Sequence, residues 1–425
     1  MIDIRELREN PDAYVQAAAN KRIDADVQKL LAIDEQLKAA KARLQDISTE
    51  KNRIGKSIPK LAGQEKEAAL ATLADLKKEE EGFQEQAKQL QPEFDALMLQ
   101  VPQPADPDVP VGKDDTENIE LRKEGEIPQF DFELKDHVEL GSSLGMIDIE
   151  RGVKLAGTRN YFLTGDGALL HWAVMRFAVD FMVGRGYTPM SVPLLMRDEA
   201  MRGTGYYPGS EEQTYRMEKD DLSLVGTAEV PLTAFRMGEI LKAEELPLKY
   251  VALSSCFRRE AGSAGKDTYG LYRIHQFDKV EQVIVCENNA ETSRAFHDEI
   301  LANSEGVMQA LGLPYRVVVV CTGDLGRGQA KKYDIEAWMP SRGNYCETHS
   351  ASKFYDFQAR RMNLRYKDAQ TKKNIFCHTL NNTVIASPRV LIPLMELYQN
   401  ADGSITVPEV LRPYMGGKDR IQPKS

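Results

Sequence analysis

The sequence predicts an α+β protein, with helices that flank an antiparallel sheet and a two-helix antiparallel coiled-coil arm at the N-terminus. Two heptad patterns joined by a short break predict the arm. After a proline-rich stretch, helical and strand segments alternate without internal repeats, a pattern typical of an α+β domain. At 425 residues, the chain is long enough for two or three domains with a sizeable core.

Composition excludes several classes of protein. Charged residues make up 28% of the chain and the net charge is −10, so any nucleic-acid contact must come from a local basic patch. The five cysteines are odd in number and form no CxxC pair, which argues against a disulfide framework or a cysteine-rich zinc site. We find no apolar signal-peptide segment and no apolar run that approaches a membrane span. We therefore expect a soluble, cytoplasmic protein that contacts no membrane.

Two apolar seams predict the coiled-coil arm, which we assign to residues 1–101. In 30–58 and again in 69–101, the seam positions lie alternately three and four residues apart. Pro59 and Gly63 break the pattern between the seams. Two seams of near-equal length with a short break between them indicate two helices that fold back on each other.

Charge is uneven along this arm, because the first helix is basic and the returning helix is acidic. A basic flank on a protruding rod suits the backbone of a nucleic acid. The basic residues concerned are Lys41, Arg43, Lys51, Arg53 and Lys56. A solvated coiled coil used for dimerisation is the alternative, and the residues by themselves favour it. We also expect the polar seam positions Lys51 and Glu80 to weaken the coil locally.

A proline-rich linker at 102–110 marks the domain boundary and leaves 111–425 for the second domain. Early in that domain, an amphipathic helix over 169–183 precedes a strand that ends at Pro193. Ordinary packing of a helix on a strand accounts for this pair equally well.

The centre of the second domain is a pair of strands, at 250–257 and 276–285, joined by a glycine-rich charged loop. Arg258 offers a fork that matches a phosphate or a carboxylate. Glu260 can accept a hydrogen bond from an exocyclic amine, and Phe277 offers a flat face for a base. Together these three side chains suggest ATP as a ligand. The alternative is a surface hairpin whose charges pair with one another.

Three segments resemble the motifs of the class II aminoacyl-tRNA synthetases. The run Phe257-Arg258-Arg259-Glu260-Ala261-Gly262-Ser263, with the returning run at 275–281, resembles motif 2 and is most similar to the seryl-tRNA synthetase family. The segment 169–193 resembles motif 1, which implies a homodimer, and 378–396 resembles motif 3. The arm resembles the one that grips the long variable arm of serine tRNA in this family. The resemblance thus implies a class II sheet, and tRNA as the partner of the basic flank.

The resemblance implies an ATP site that holds Mg²⁺. Arg258 and Arg389 would be the catalytic residues, because they position the phosphates and neutralise charge that develops on them. Glu347 and Ser350 would hold Mg²⁺ through oxygen ligands. The ATP-binding residues that the resemblance implies are Arg258, Arg259, Glu260, Phe277, Glu347, Thr348, His349, Ser350 and Arg389.

Two residues depart from the family pattern. His349 stands where relatives often have serine, which leaves the ATP contacts of this strand open. Pro388 replaces a small residue just before Arg389, at a position where we expect a helix to begin. A zinc site made of His349 and Cys346 would lack a full set of ligands.

The resemblance also implies a pocket for L-serine. Thr227 and Glu229, in the family's Thr-x-Glu loop, would receive the α-ammonium group, although the same tripeptide could cap a helix. Glu281 would bind the serine hydroxyl, because a buried carboxylate left unpaired penalises alanine and glycine. The implied serine-binding residues are Thr227, Ala228, Glu229, Arg258, Glu281 and Thr383.

In the implied reaction, L-serine is activated with ATP to give seryl-adenylate and pyrophosphate. The seryl group is then transferred to the 3′ end of serine tRNA. Selenocysteine tRNA remains open as a second acceptor. Two rivals stand beside this function. A ligase that charges a carrier protein would share the catalytic domain but lack the long arm. A non-catalytic paralogue would have lost ATP ligands, which are present here.

Overall fold

The computed structural model describes residues 1–262 and 267–423, and its chain divides into two compact units. Unit 1 is Met1–Pro102 and unit 2 is Gln103–Ser425. Unit 1 is helical, whereas unit 2 combines helices with a large antiparallel sheet. The predicted α+β fold with a helical N-terminal arm is confirmed. Residues 263–266, which belong to the motif 2 loop, lie outside the described residues.

The helices differ greatly in length, and the two longest form the arm. They are α1 (Ile4–Glu9), α2 (Pro11–Asn20), α3 (Val27–Ser57), α4 (Gly63–Gln100), α5 (His137–Ser143), α6 (Ile149–Ala156), α7 (Asp166–Gly184), α8 (Asp198–Thr204), α9 (Glu229–Ala234), α10 (Ala290–Ala310), α11 (Phe357–Met362) and α12 (Leu391–Leu397). Short 3₁₀ helices occupy Ile58–Lys60, Asp115–Glu117, Ala243–Glu245, Thr322–Asp324, Pro340–Arg342 and Glu409–Met415.

The strands all belong to unit 2. They are β1 (Ile119–Glu124), β2 (Ile147–Asp148), β3 (Phe162–Leu163), β4 (Thr188–Met190), β5 (Leu195–Met196), β6 (Arg216–Met217), β7 (Leu222–Leu224), β8 (Ile240–Lys242), β9 (Leu248–Phe257), β10 (Gln276–Cys286), β11 (Tyr315–Val319), β12 (Lys331–Met339), β13 (Asn344–Tyr355), β14 (Arg365–Lys367), β15 (Asn374–Phe376), β16 (His378–Ser387), β17 (Ile405–Thr406) and β18 (Arg420–Ile421).

The main sheet has the strand order β1-β11-β12-β13-β16-β10-β9-β4. Its neighbouring strands are antiparallel except β4, which runs parallel to β9 at one edge. The helices α7 and α10 pack on this sheet and bury its largest apolar cluster. The central strands β16, β10 and β9 therefore rest on a packed core, which gives the side chains at their ends fixed positions.

The two long helices of the arm pack against each other along the predicted seams. On α3 the buried seam residues are Leu30, Ile33, Leu37, Ala40 and Ile47. On α4 the seam positions are buried or half-buried, whereas most of the others are exposed. Cross-helix ion pairs such as Lys29 with Glu93, at 2.6 Å, fix the antiparallel direction. The prediction of a two-helix antiparallel coiled coil is confirmed.

The two polar seam positions pair with each other. Lys51 Nζ lies 2.6 Å from a carboxylate oxygen of Glu80, and both side chains are half-buried. The expected weak point is thus an ion pair across the coil. A polar pair at a seam also fixes the register of the two helices, because each group is satisfied only opposite the other.

The proline-rich segment after Pro102 packs on unit 2. The Asp106 N–H donates to the carbonyl of Ala330 at 2.9 Å. The Asp106 carboxylate accepts from the buried Lys353, at 2.5 Å, and from the Tyr355 hydroxyl, at 2.8 Å. This stretch is therefore a fixed part of the second unit, although its composition predicts a linker.

One helix of the described residues is long and apolar enough, by length and composition alone, to cross a membrane, and this differs from the sequence expectation. It is α7, and slightly under half of the relevant stretch is buried inside unit 2. Its residues Leu170, Val174 and Met182 are buried in the largest core cluster. A core helix that packs on a sheet accounts for this composition.

Candidate active site

The predicted pair of strands is present, and a cavity opens beside it. Strands β9 and β10 pair antiparallel from Phe257 opposite Gln276 to Leu248 opposite Val285. The cavity has a volume of about 580 Å³, including its open mouth. The predicted site residues that line it are Arg258, Glu260, Phe277, Glu347, Thr348, His349, Ser350, Thr383 and Arg389. The chain thus brings together residues from the segment just after β9, from β10, β13 and β16, and from the turn before α12.

Arg258 follows directly after β9 and connects two parts of the site. Its N–H donates to the carbonyl of His275, at 2.9 Å, which fixes the backbone at the end of the strand. Its guanidinium carbon lies 5.2 Å from the centre of the Phe277 ring. On the other side, its Nε donates to the carbonyl of Gly226 at 3.4 Å. Arg258 therefore lies between the aromatic face of the cavity and the loop that contains Thr227 and Glu229.

Arg389 enters the cavity from the turn between β16 and α12. Its side chain donates to the carbonyls of Tyr272, at 3.2 Å, and Glu347, at 3.0 Å. Its guanidinium carbon lies 4.4 Å from the centre of the Tyr272 ring. Because α12 begins at Leu391, Pro388 and Arg389 precede the helix. The expectation that Pro388 begins the helix is therefore wrong, since the chain turns there before the first helical residue.

Glu260 has a partner of its own in this structure. Its backbone is left-handed, with φ of +53°, and its carboxylate lies 3.0 Å from the guanidinium of Arg273. Arg273 also lines the cavity, as do Tyr272 and Lys279, none of which the sequence singled out. At Glu260, the alternative prediction is therefore confirmed: its charge pairs with another charge of the same hairpin, that of Arg273. Arg259, by contrast, is exposed and is absent from the described cavity wall.

A β-bulge shapes the far wall of the cavity. Ile335 of β12 lies opposite His349 of β13, and the next residue, Glu336, lies opposite Glu347, so Thr348 is the extra residue. The side chain of Glu347 is 49% exposed. Partial burial raises the pKa of this carboxyl, but Arg389 and other nearby cations outweigh burial and lower it overall. Glu347 is therefore ionised at neutral pH.

His349 occupies the same wall but is almost fully buried. Its Nδ1 lies 2.7 Å from the hydroxyl of Thr348, which itself donates to the carbonyl of Ile335 at 3.1 Å. Burial lowers the pKa of His349 to about 4, so the ring is neutral at neutral pH. Among the described residues, no cluster of three or more His, Cys, Asp or Glu side chains could hold a metal ion. A zinc site with Cys346 has no further ligands here.

The residues expected to hold Mg²⁺ fit a partly hydrated ion. Glu347 is an ionised carboxylate at the cavity, and the Ser350 hydroxyl lines the same wall. Two oxygens do not complete the octahedral shell of Mg²⁺, so phosphates and water would supply the rest. This donor set suits a metal that arrives with a nucleotide.

The residues expected to bind the ammonium group lie behind the cavity wall. Thr227 and Ala228 are buried, and the Thr227 hydroxyl accepts from the N–H of Glu229 at 3.2 Å. The N-cap position of α9 is occupied by Ala228 and not by Thr227, and its side chain makes no cap hydrogen bond, so the alternative with Thr227 at the N-cap is wrong. Glu229 accepts from Gln358 at 2.8 Å. Burial, and then the nearby Glu281, raise the pKa of Glu229 to about 7.

Glu281 is buried beside Thr383. A register shift between β10 and β16 places the two residues directly opposite each other. Glu281 is 2% exposed, and its Oε2 lies 2.5 Å from the Nζ of Lys279 and 3.4 Å from the Thr383 hydroxyl. Thr383 and Lys279 line the cavity, whereas Glu281 lies one contact behind them.

The basic residues of the arm fall into two groups. Arg43 makes a bidentate contact with Glu79, at 2.7 and 2.8 Å, and Lys51 pairs with Glu80. Both thus hold α4 against α3. The remaining three are exposed: Lys41 also contacts α4, through the Gln91 side chain at 3.3 Å, Arg53 pairs with Glu50 of its own helix at 3.4 Å, and Lys56 is exposed.

A second concave surface lies along α7, in the segment that resembles motif 1. It is lined mainly by apolar side chains of α7, β4 and β9, including Trp172, Met175, Val179, Met190 and Leu253. Trp172 is 63% exposed and Leu253 is 43% exposed. Exposed apolar side chains that share one groove are typical of a surface that another protein covers.

Comparisons with known proteins agree over both units. Residues 1–104 match the family described as "Seryl-tRNA synthetase N-terminal domain". Residues 213–398 match the family described as "tRNA synthetase class II core domain (G, H, P, S and T)". The first match covers the coiled-coil arm, and the second covers the strands that line the cavity.

Full-length relatives show the same similarity. The serine–tRNA ligase of Deinococcus radiodurans is 46% identical over 419 residues, which cover 99% of this chain and 98% of the relative. The crystal structure of seryl-tRNA synthetase from Pyrococcus horikoshii complexed with ATP matches with a TM-score of 0.94 and 35% identity, over all of both chains. The cytoplasmic serine–tRNA ligase of Naegleria fowleri, solved with AMP, matches with a TM-score of 0.87 and 34% identity, over 98% of this chain and 96% of that one.

Proposed function

The chain belongs to the seryl-tRNA synthetase family, and we infer from this that it is a serine–tRNA ligase. It activates L-serine with ATP to give seryl-adenylate and pyrophosphate, and it transfers the seryl group to the 3′ end of serine tRNA. One observation supports this function most directly. Arg258 lies over Phe277 on one side and contacts the Gly226 carbonyl on the other, so it joins a nucleotide cavity to the loop that contains Thr227 and Glu229.

The nucleotide half of the site suits ATP. The adenine would stack on Phe277, and Glu260 would accept from its exocyclic amine. Arg389 and Arg258 would bind the phosphates, and Arg273 offers a further guanidinium in the same wall. Glu347 and Ser350 would hold Mg²⁺, which neutralises charge on the phosphates when it is bound.

The amino-acid half of the site suits serine. Glu229 and Thr227 would receive the α-ammonium group, since a carboxylate and a hydroxyl oxygen are good acceptors for it. Glu281 and Thr383 would bind the side-chain hydroxyl. Alanine and glycine cannot satisfy these buried groups, so they would bind less well.

The first reaction step needs orientation and charge neutralisation more than proton transfer. A carboxylate oxygen of serine attacks the α-phosphorus of ATP, a new P–O bond forms, and the bond to the β-phosphate oxygen breaks to release pyrophosphate. Arg258 lies between the two pockets, so it can orient both the serine carboxylate and the α-phosphate. It would also stabilise charge that develops on phosphorus.

The acceptor and the assembly are further parts of this proposal. The outward-facing basic residues of α3 support contact with the long variable arm of serine tRNA. The apolar groove along α7 supports a homodimer. The five free cysteines support a reducing, cytoplasmic location.

Amino-acid-dependent exchange between ATP and labelled pyrophosphate tests this function. The full chain is assayed with Mg²⁺ and each amino acid in turn, without tRNA. We expect exchange with serine alone. A folded chain that exchanges with no amino acid, yet still binds serine tRNA, would overturn the proposal and favour a non-catalytic paralogue.

A further inference from the structure

A buried lysine stands at the centre of the amino-acid pocket. Lys279 lies on β10, two residues before Glu281, so the two side chains share one face of the strand. Lys279 is 6% exposed, which is rare for a lysine unless it is paired. Its Nζ lies 2.5 Å from Oε2 of Glu281 and donates to the Thr383 hydroxyl at 3.3 Å. The three side chains thus contact one another. Lys279 and Thr383 line the cavity, and Glu281 lies behind them.

The charges of the pocket explain why a resident cation is needed. Glu281 is buried and Glu229 is half-buried, and the charge of Glu281 disfavours ionisation of Glu229. Lys279 supplies one positive charge, which directly contacts Glu281. The ammonium group of serine supplies a second, which the proposed function assigns to Glu229. With serine bound, each of the two carboxylates therefore has a cation of its own.

Two neighbours of Glu281 contact the same one of its two carboxylate oxygens. Both Lys279 and Thr383 contact Oε2. This arrangement leaves Oε1 as the oxygen that can accept the hydroxyl of serine. A carboxylate held at one oxygen has a fixed plane, so its other oxygen is presented in one direction.

We propose that Lys279 is a positioning residue for serine selection: its ammonium group holds Glu281 through Oε2, so that Oε1 accepts the serine hydroxyl. This inference rests on the proposed function. Without the ammonium group, the Glu281 carboxylate loses the contact that fixes its plane, and Oε1 is no longer presented in one direction. Selection of serine over alanine then weakens.

Two variants of Lys279 test this role in the exchange assay. Lys279→Met keeps the length of the side chain and removes its charge, whereas Lys279→Arg keeps the charge. At neutral pH we expect Lys279→Met to raise KM for serine by about 5-fold to 100-fold and to narrow the preference for serine over alanine. The rise in KM for serine should exceed any change in KM for ATP, because the contact that is lost is the one to Glu281. Lys279→Arg should retain more of the selectivity.

A double-mutant cycle separates positioning of Glu281 from a structural role of Lys279. In a Glu281→Gln background, Lys279→Met should cost little more. An equal cost in the Glu281→Gln background, or an equal loss of serine selectivity in Lys279→Met and Lys279→Arg, would overturn the inference. Wild-type protein assayed in parallel distinguishes this failure from failure of the proposed function itself.

Discussion

Glu229 shows how strongly a buried carboxyl depends on its neighbours. Burial is the largest cause that raises its pKa, and the charge of Glu281 adds to it. The Gln358 amide, which donates at 2.8 Å, and the ammonium of Lys279 act in the opposite direction. The balance places the pKa at about 7, well above that of a carboxyl in water. Near neutral pH, the free pocket therefore holds this group partly protonated.

This ionisation predicts a pH dependence of serine binding. The ammonium of serine binds the ionised form of Glu229, so binding must displace a proton when the pH lies below about 7. We expect KM for serine to be about tenfold higher near pH 6 than near pH 8, with a smaller change for ATP. Initial rates of exchange across this range measure it, and Glu229→Gln, which cannot ionise, serves as the control. A flat profile for wild-type protein would contradict the role of Glu229.

Site residues that lie within one stretch of the chain could be predicted from the sequence. Residues whose contacts depend on how two distant strands pair could not. Arg258, Glu260 and Phe277 lie near the ends of two adjacent strands, so their pattern can be read from one stretch, and all three line one cavity. Lys279 lies in the same stretch but reads as an ordinary strand residue. Its partner Thr383 meets it only because β10 and β16 pair with a register shift.

Among the basic residues of the arm, some hold the two helices together and others are exposed to solvent. Arg43 and Lys51 are occupied by Glu79 and Glu80 of the opposite helix. Arg53 is 78% exposed and pairs with Glu50 of its own helix. A phosphate backbone could therefore reach Arg53 without breaking the coil. The two groups of residues should respond differently to substitution.

We expect the double variant Arg53→Ala/Lys56→Ala to weaken charging of tRNA. KM for serine tRNA should rise on the order of tenfold, because two phosphate contacts are lost, while exchange without tRNA should be unchanged. Lys66→Ala/Lys88→Ala, two exposed lysines of the returning helix, is the matched control. Equal effects of the two double variants on charging would show that the basic flank of α3 has no special role.

The periodic elements were predictable, and the irregular ones were not. The apolar seams of α3 and α4 follow from a spacing that repeats over many turns, so many positions together support the prediction of each helix. The segment 102–110 has the composition of a linker, but Asp106 anchors it to Lys353, which lies far along the chain. The bulge at Thr348 depends on pairing with β12, and the sequence of one strand does not specify it.

In the whole molecule, the groove along α7 leaves several apolar side chains uncovered. Trp172 and Leu253 come from different elements and are both largely exposed. Full burial of such side chains contributes about 1.5–3 kcal/mol each. A second copy that covers the groove would therefore gain appreciable stability, in agreement with the proposed homodimer.

Substitutions in the groove should separate the subunits. We expect wild-type protein to have twice the chain mass of 47.7 kDa, measured by light scattering after size-exclusion chromatography. Trp172→Glu and Leu253→Glu should shift the mass towards that of one chain, since a charge in a buried apolar contact is costly. Leu70→Glu, at an exposed apolar position of the arm, should leave the mass unchanged. A monomeric wild-type protein at micromolar concentration would contradict the homodimer.

Charging of serine tRNA by the full chain tests the proposed function most directly. The assay uses labelled serine, ATP and Mg²⁺ with a serine tRNA transcript, beside the same transcript with a shortened variable arm. We expect the intact transcript to be charged and the shortened one to be charged poorly. An enzyme that exchanges serine but leaves the intact transcript uncharged would contradict the proposed function, because the acceptor of the seryl group would then be another molecule.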